Sequence, residues 1–463
     1  MKGLFIISGL GILAMLAEIF KFKKILYPVV LLGIIAAYCV NFMEWNNNMS
    51  IREFDNMIHF DNFSLAFSGV ILGVSFFWFI LANDYFKNET NVTDHFSLIL
   101  FTITGALMLT AFRNMTTLFL GIEVMSIPLY VLAASKKQDN ASNEAGFKYL
   151  IMGSFATGFL LFGIALVYGA TGTFDIMEMR GKIAMAQGNL PMFFYAGVMM
   201  MLIAMCFKVS AAPFHFWAPD VYQGSPTVIT AFMSTIVKTA AFCAFLILFL
   251  IGFRSLGTTW HFTLAVVIGL SLLISNVTAA SQTSVKRMLA YSSISHAAFM
   301  LMAILSNSGT MSVSAVLYYS LAYSIGSITA FTVLYNVIKS EGDTFESFNG
   351  LAKRNPFAAV CMTIAMLSLA GIPVTAGFFA KYYVFTAMMT TSYKWLLIVA
   401  ILTSAVGVYY YFKIIIAMYF KPATKHEAVT FETNHVLLIA ITSLLTLALG
   451  LVPGFILEML HQS

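Results

Sequence analysis

This chain carries little charge. Only 10% of its 463 residues are Asp, Glu, Lys or Arg, and 60% are hydrophobic. A soluble domain is nearer a quarter charged. The shortage excludes a soluble enzyme and points to an all-α polytopic membrane protein. Cysteine is also scarce: Cys39, Cys206, Cys243 and Cys361 stand singly in apolar runs. Without C-x-x-C spacing, neither an iron–sulfur cluster nor a disulfide framework is supported, and buried free thiols are expected. No G-x-x-x-x-G-K-[ST] occurs, and no glycine fingerprint follows a strand pattern, so no nucleotide site is read. Long polar segments are missing too. The longest connectors, near 44–62, 170–190 and 339–355, are too short for a soluble catalytic domain. The net charge of +5 follows from loop lysines and calls for no nucleic-acid partner.

What the chain has instead is apolar length. A span needs about 20 apolar residues. Such stretches lie at 3–20, 24–43, 63–82, 95–112, 115–134, 144–169, 191–209, 226–251, 261–281, 287–305, 311–338, 356–388, 395–418 and 434–451, about fourteen spans in one membrane domain. The first lacks a small-x-small cleavage site before Lys21, Lys23 and Lys24 and reads as a span, not a signal peptide. The 28 methionines and 44 phenylalanines read as lipid-facing and packing residues rather than a cofactor box.

Alternating the spans sorts the cations. One side takes Lys21, Lys23, Lys24, Lys87, Lys136, Lys137, Lys286, Arg287, Lys339, Lys353, Arg354, Lys421 and Lys425. The other takes the smaller set Lys2, Arg52, Arg113, Arg180, Lys182, Arg254 and Lys394. The richer side is expected to be cytoplasmic, with both termini on the outer, periplasmic face of a bacterial plasma membrane.

Two spans look broken. The seventh runs into Pro213, Pro219 and Pro226; the twelfth holds Gly371, Pro373 and Gly377 mid-run. Proline removes a backbone donor and clashes with the preceding turn. Interrupted helices at membrane depth are tolerated where they line a cavity or pack inside protein. The breaks are five spans apart, so they run in opposite directions, as in an inverted repeat. The expected halves are spans 4–8 (95–251) and 9–13 (261–418), after three N-terminal spans (1–94) and before a last one (434–463).

Lys148, Lys208, Lys238, Lys381 and Lys413 fall inside these apolar runs. A charge there costs roughly 3 kcal/mol even on the lenient insertion scale. No arginine falls in a span. Arginine keeps its proton, whereas lysine can release one when taken out of water, so the asymmetry favours proton transfer. Lys413, near a span end, can instead snorkel. Glu123 reads as the one carboxylate deep in a span, with Glu18 and Glu458 near span ends. Lys148 on the next span is its expected partner, although Glu144, four residues before Lys148, is an ordinary helix-surface rival. His296 sits among Ser292, Ser293 and Ser295, near Tyr291, and is read as a possible relay or a simply hydrogen-bonded histidine. His215 and Asp220 follow the first break, lining an access route or capping the broken helix.

FKVSAAPFHFWAPDVYQGSPTVITAFMSTIVKTAAF resembles the signature of the antiporter-like membrane subunits of respiratory complex I, NADH-quinone oxidoreductase. LFLGIEVMSIPLYVL, VKRMLAYSSISH and GIPVTAGFFAKYYVF resemble that family as well. The likeness runs over roughly residues 60–450. It implies a fourteen-helix fold with inverted repeats and a role in proton translocation driven by quinone reduction elsewhere in the complex. Carried over, it implies that Glu123 and Lys148 form the paired site and that Lys208 and Lys238 are central-axis lysines. Lys381 would be the broken-helix lysine on the exit side, and His296 the histidine of the second half. The subunit N branch fits best, because the chain stops at Ser463 without a long lateral helix. FMN, iron–sulfur clusters and quinone are then expected in partner subunits, none in this chain. The expected neighbours are other antiporter-like and small membrane subunits, and the lipid bilayer. A competing reading is a subunit of a multi-subunit cation/proton antiporter without redox chemistry; co-purified flavin and iron–sulfur absorbance would separate the two. A stand-alone substrate transporter fits less well, for want of a second deep carboxylate.

Overall fold

The computed structural model describes all residues except 21–22, 46–50, 54–56, 88–90, 187–188, 424–428 and 455–463. Lys21, Lys425 and Glu458 therefore lie outside the described residues, as do the side chains of Lys24 and Arg52. Apolar composition sets the secondary structure. In hydrocarbon every backbone donor and acceptor must be satisfied within the chain, and a helix does this locally. Two helices open the fold, α1 (Lys2–Ala17) and α2 (Lys23–Met43). A small antiparallel hairpin follows, β1 (Ile51–Glu53) and β2 (Ile58–Phe60), in register Ile51↔Phe60 and Glu53↔Ile58. Then come α3 (Asn62–Lys87), α4 (Val92–Ala111), α5 (Met115–Ala133), α6 (Asn140–Thr171) and the short connector helix α7 (Ile176–Ala186).

The next stretch is irregular. Helices α8 (Met192–Lys208) and α9 (Trp217–Gly224) are the two pieces of the interrupted seventh run. One continuous helix then combines α10 (Thr227–Phe232), a π-helical turn (Met233–Val237), α11 (Lys238–Leu246) and a second π-helical turn (Ile247–Gly252). Helices α12 (Gly257–Ser281), α13 (Val285–Leu305) and α14 (Thr310–Ser340) lead through a short α15 (Leu351–Arg354) to the second broken run, α16 (Pro356–Ala370) and α17 (Ala376–Met389). Helices α18 (Trp395–Phe420) and α19 (Thr433–Leu451) close the fold.

Among the described residues, eleven helical stretches are long and apolar enough to cross a membrane, and α1, α8 and α16 are shorter apolar helices. Local chemistry sets several starts. The side chains of Asn114, Asp139, Ser284 and Asn355 accept the first free backbone N–H groups of α5, α6, α13 and α16. Pro356 occupies the first turn of α16, where its missing donor costs nothing. The core runs through α13 and the 227–252 helix, both almost wholly buried, while α2, α6 and α18 turn most of their surface outward. Cys39 on α2 is therefore exposed, contrary to the expectation of four buried thiols; Cys206, Cys243 and Cys361 are buried.

Candidate functional site

Lys208 is the last residue of α8. The helix stops because Ser210 takes a left-handed conformation (φ +62°) and Pro213 follows. Freed backbone groups are re-satisfied inside the protein. Trp217 Nε1 donates to the Phe207 carbonyl at 3.1 Å, and the Ala212 amide donates to Ser271 Oγ on α12 at 2.7 Å. Lys208 Nζ donates to Ser126 Oγ in a short contact, and that hydroxyl donates to the Ile122 carbonyl. Ser126 lies one helical turn beyond Glu123 on α5, so Lys208 sits over the turn that carries the carboxylate. A cavity of about 10 Å³, bordered by Ile122, Thr157 and Lys208, is about the size of one water.

The expected Glu123–Lys148 pair is not formed. Lys148 Nζ lies 2.6 Å from Glu144 Oε1 and 2.8 Å from Asp220 Oδ2. Asp220 Oδ1 also holds Arg287 Nη1 at 2.8 Å, and Arg287 donates to Gln223 Oε1 at 2.9 Å. The reason is the face on which Lys148 stands: it points along α6 toward α9, where Glu144 on its own helix and Asp220 on α9 are in reach. Asp220 thus joins α6, α9 and α13 in one ion cluster. Glu123 makes no hydrogen bond or ion pair among the described residues and is half-buried.

Lys238 is 3% exposed and directly follows a π-helical turn, a distortion common at functional sites. Its ammonium donates to the Ser293 carbonyl at 2.8 Å and to Ser293 Oγ at 3.1 Å. His296, one turn along α13, is held at both ring nitrogens: Tyr319 OH lies 2.7 Å from Nδ1 and Tyr411 OH 3.0 Å from Nε2. Tyr411 in turn meets Ser292 Oγ. Hydroxyls both donate and accept, so either tautomer of His296 is accommodated. Tyr291, expected beside His296, instead lies under the Arg287 guanidinium, 6.0 Å from its carbon.

The second break is built by two glycines. Gly371 ends α16 in the left-handed region (φ +85°), where a side chain is strained. Gly377 opens the other piece so close to the Ser368 carbonyl that a Cβ would overlap it. Between them Lys381 reaches back, donating to the Ala370 carbonyl at 2.7 Å, with its ammonium 5.1 Å from the centre of the Phe299 ring. Lys381 also borders a cavity of about 260 Å³ lined largely by apolar side chains such as Phe378, Phe385 and Ile401.

Lys413 is partly exposed. It donates to the Gln282 carbonyl at 3.1 Å and covers the Phe345 ring at 4.1 Å. His215 is buried, stacks on Phe216, and leaves Nδ1 without a partner among the described residues. Several buried charges escaped the sequence reading, among them Arg113, 8% exposed and paired with Asp61 at 2.7 Å. Lys286, counted among loop cations, is 6% exposed and donates to the Gln223 and Ser225 carbonyls at the end of α9. Asp84 is 4% exposed, so Glu123 is not the one enclosed carboxylate. The third apolar run ends at 82, whereas the helix continues to Lys87; the polar tail NDYFK hid the extra turn. No group of three or more His, Cys, Asp or Glu side chains is placed to hold a metal among the described residues.

Residues 113–407 match the family described as "NADH:quinone oxidoreductase/Mrp antiporter, TM". An NADH-quinone oxidoreductase subunit N from Cytophaga hutchinsonii is 44% identical over 99% of both chains. A chain of respiratory complex I from Thermus thermophilus, solved with bound aureothin, is 28% identical, covers 98% of both chains and superposes with a TM-score of 0.82. A chain of the Mrp complex from Dietzia sp. shares the fold at a TM-score of 0.87 with 20% identity, over 98% of this chain and 94% of its own.

Proposed function

This chain belongs to the subunit N family of NADH-quinone oxidoreductase, and from that premise we propose that it moves protons along a buried line of Glu123, Lys148, Lys208, Lys238, His296 and Lys381. The observation that carries this reading is how the deep lysines are held. Lys208, Lys238 and Lys381 rest on neutral hydroxyls and carbonyls, not on carboxylates. A lysine on a neutral acceptor can give up its proton without leaving an unpaired buried carboxylate, a costly outcome in an ion pair.

Between Lys238 and His296, Ser293, Ser292 and Tyr411 provide hydroxyls on one turn of α13 and its neighbour. Lys381 approaches the same helix through Phe299. Glu123 supplies a charge beside Lys208. The Lys148–Asp220–Arg287 cluster stands at the access side, where Lys148 can exchange Asp220 for Glu123. Redox centres belong, in this reading, to partner subunits, and the contribution of this chain is confined to proton transfer. Fourteen crossings, two inverted halves around the broken helices, and periplasmic termini complete the proposal; they rest on the matched breaks and the loop-charge asymmetry.

An antiporter subunit without redox chemistry has the same fold. The 44% full-length identity to a subunit N favours the complex I reading. The test of the axis uses the assembled complex in sealed vesicles. Lys208→Ala should sharply lower coupled quinone reduction and pumping with assembly intact. Lys208→Arg should also be poor, because arginine holds its proton. Near-normal pumping by the alanine variant removes Lys208 from the path.

A further inference from the structure

A second enclosed cluster of ionisable groups lies outside the line just described, where α3, α14 and α19 meet. Asp84 accepts from Lys339 Nζ at 2.9 Å and from Tyr335 OH at 3.0 Å. Glu432, at the start of α19, stands near Asp84 and pairs with Lys87 at 2.8 Å. Lys339 and Lys87 keep about half of their side chains exposed, so one edge of the cluster is open to water. One turn into α19 stands His435, wholly buried. Its Nε2 lies 3.1 Å from the Leu81 carbonyl, an obligate acceptor, so this nitrogen carries the proton in the neutral ring. Its Nδ1 faces the Asn336 side-chain amide, 3.1 Å from the nitrogen and 3.2 Å from the oxygen. An amide can turn either atom toward the ring. Asn336 can therefore donate to a bare Nδ1 or accept from a protonated one.

Beyond His435 the α14–α19 seam holds further polar side chains. Asn336 donates to the Thr332 carbonyl, and Thr329 Oγ1 donates to Thr442 Oγ1 at 2.7 Å. Ser324 and Ser443 are buried with hydroxyls that find no partner among the described residues. Buried polar atoms in that state are where ordered water sits. On another face of α14, Tyr323 has its ring centre 4.8 Å from that of His296. On α16, the Cys361 thiol lies near Ser443; on α17, Tyr383 meets Tyr318 at the far end of the seam.

We propose that His435 is a proton-loading residue, filled at Nδ1 from the water-facing Asp84–Glu432–Lys339 cluster and emptied along the α14–α19 hydroxyls toward His296. The proton comes from water at that face; neutral His435 gains it at Nδ1 and returns to the neutral ring when it passes that proton to a water in the seam. This route rests on the axis reading and gives the second half of that axis its own supply. Polar residues also glue membrane helices together without carrying anything, and the experiment separates the two roles.

The test uses the intact complex in sealed vesicles with His435→Gln, whose amide can still donate to the Leu81 carbonyl and accept from Asn336. The expected result is normal assembly with coupled quinone turnover per assembled complex about a hundredfold lower, and a smaller deficit at acid pH, where protons are more abundant. Asp84→Asn should move turnover the same way. Unchanged turnover and pH profile per assembled complex in the glutamine variant overturn the loading role, as does lost assembly with normal turnover in what remains. Lys208→Ala, run alongside, separates the failures. If Lys208→Ala is impaired and His435→Gln is not, the side route is wrong and the axis stands. If neither is impaired, both fall.

Discussion

Lys381→Met is the sharpest perturbation of the proposed axis, because its structural and functional consequences differ in size. In the fold, Lys381 donates to the Ala370 carbonyl at 2.7 Å and stands over the Phe299 ring. A hydrogen bond to a charged group contributes about 1.5–3 kcal/mol. A cation at a helix C-terminus adds up to ~2 kcal/mol in partly buried geometry, and the ring about 0.5–2 kcal/mol. Against these stands the cost of keeping an ammonium out of water, several kcal/mol or more. Methionine removes both sides of that balance. It fills the space with a flexible apolar chain and leaves one carbonyl unpaired, at about 1–3 kcal/mol. The net effect on folding is a few kcal/mol at most, so the complex should assemble. A lost acid–base group, by contrast, costs about 10²–10⁴ in rate. Coupled quinone turnover per assembled complex should therefore fall at least about a hundredfold while the amount of complex stays near the parent level. Lys381→Arg separates charge from transfer: it restores a cation over Phe299 but not a releasable proton. The carrier reasoning fails if the methionine variant turns over within about threefold of the parent, far below that range, or if arginine restores activity.

Two further outcomes follow from the same geometry. Asp220→Asn keeps the shape but releases Lys148 and Arg287 together; because all three are partly exposed, each lost pair should cost only about 0–1 kcal/mol, and assembly should persist while coupled turnover drops. Unaltered turnover would leave the cluster a purely structural tie. For topology, cysteine placed at Gln138, in a background without the native cysteines, should react with an impermeant reagent from the cytoplasmic side, and at Gly181 from the outer side; the reverse pattern overturns the charge-based orientation.

Much of this arrangement is legible in the sequence because it depends on local chemistry. Apolar length marks the helices, and prolines and glycines mark both interruptions. Lysine in an apolar run is conspicuous wherever it packs. What escaped depends on which face of a helix meets which neighbour. Lys148 was expected at Glu123 because the two lie on adjacent helices, yet α9 brings Asp220 closer, and nothing in the spacing of α6 and α9 along the chain reveals that. Asp84 was lost to segmentation, since hydropathy drops one turn before the helix ends. Lys286 looked like a loop cation two residues after a helix cap, but the end of α9 folds over it and its charge is enclosed. Cys39 looked buried because its run is apolar, and it is exposed because α2 packs on one side only.

The placement of the lysines also explains why the helices break where they do. A helix C-terminus carries about half an elementary negative charge on its unsatisfied carbonyls. Lys208 is itself the final residue of α8, and Lys381 binds the last carbonyl of α16. Lys286 binds carbonyls at the end of α9, and Lys413 the carbonyl that follows α12. The ammoniums of Lys381, Lys286 and Lys413 are thus balanced by a partial charge fixed in the backbone, whereas that of Lys208 donates to Ser126 Oγ on α5. A carboxylate in that position would supply a full charge, and removing the proton from its lysine would strand it in a medium where an unpaired ion is costly. A helix end strands nothing of that size, because its dipole exists whether or not the lysine is charged. Ordinary helix ends lie at the membrane surface, so a partial negative charge at membrane depth has to be made by interrupting a helix there. On this argument Gly371 and Gly377 do more than admit a turn: in the proposed axis they bring a helix end to the place where Lys381 needs a counter-charge weak enough to leave its proton transferable.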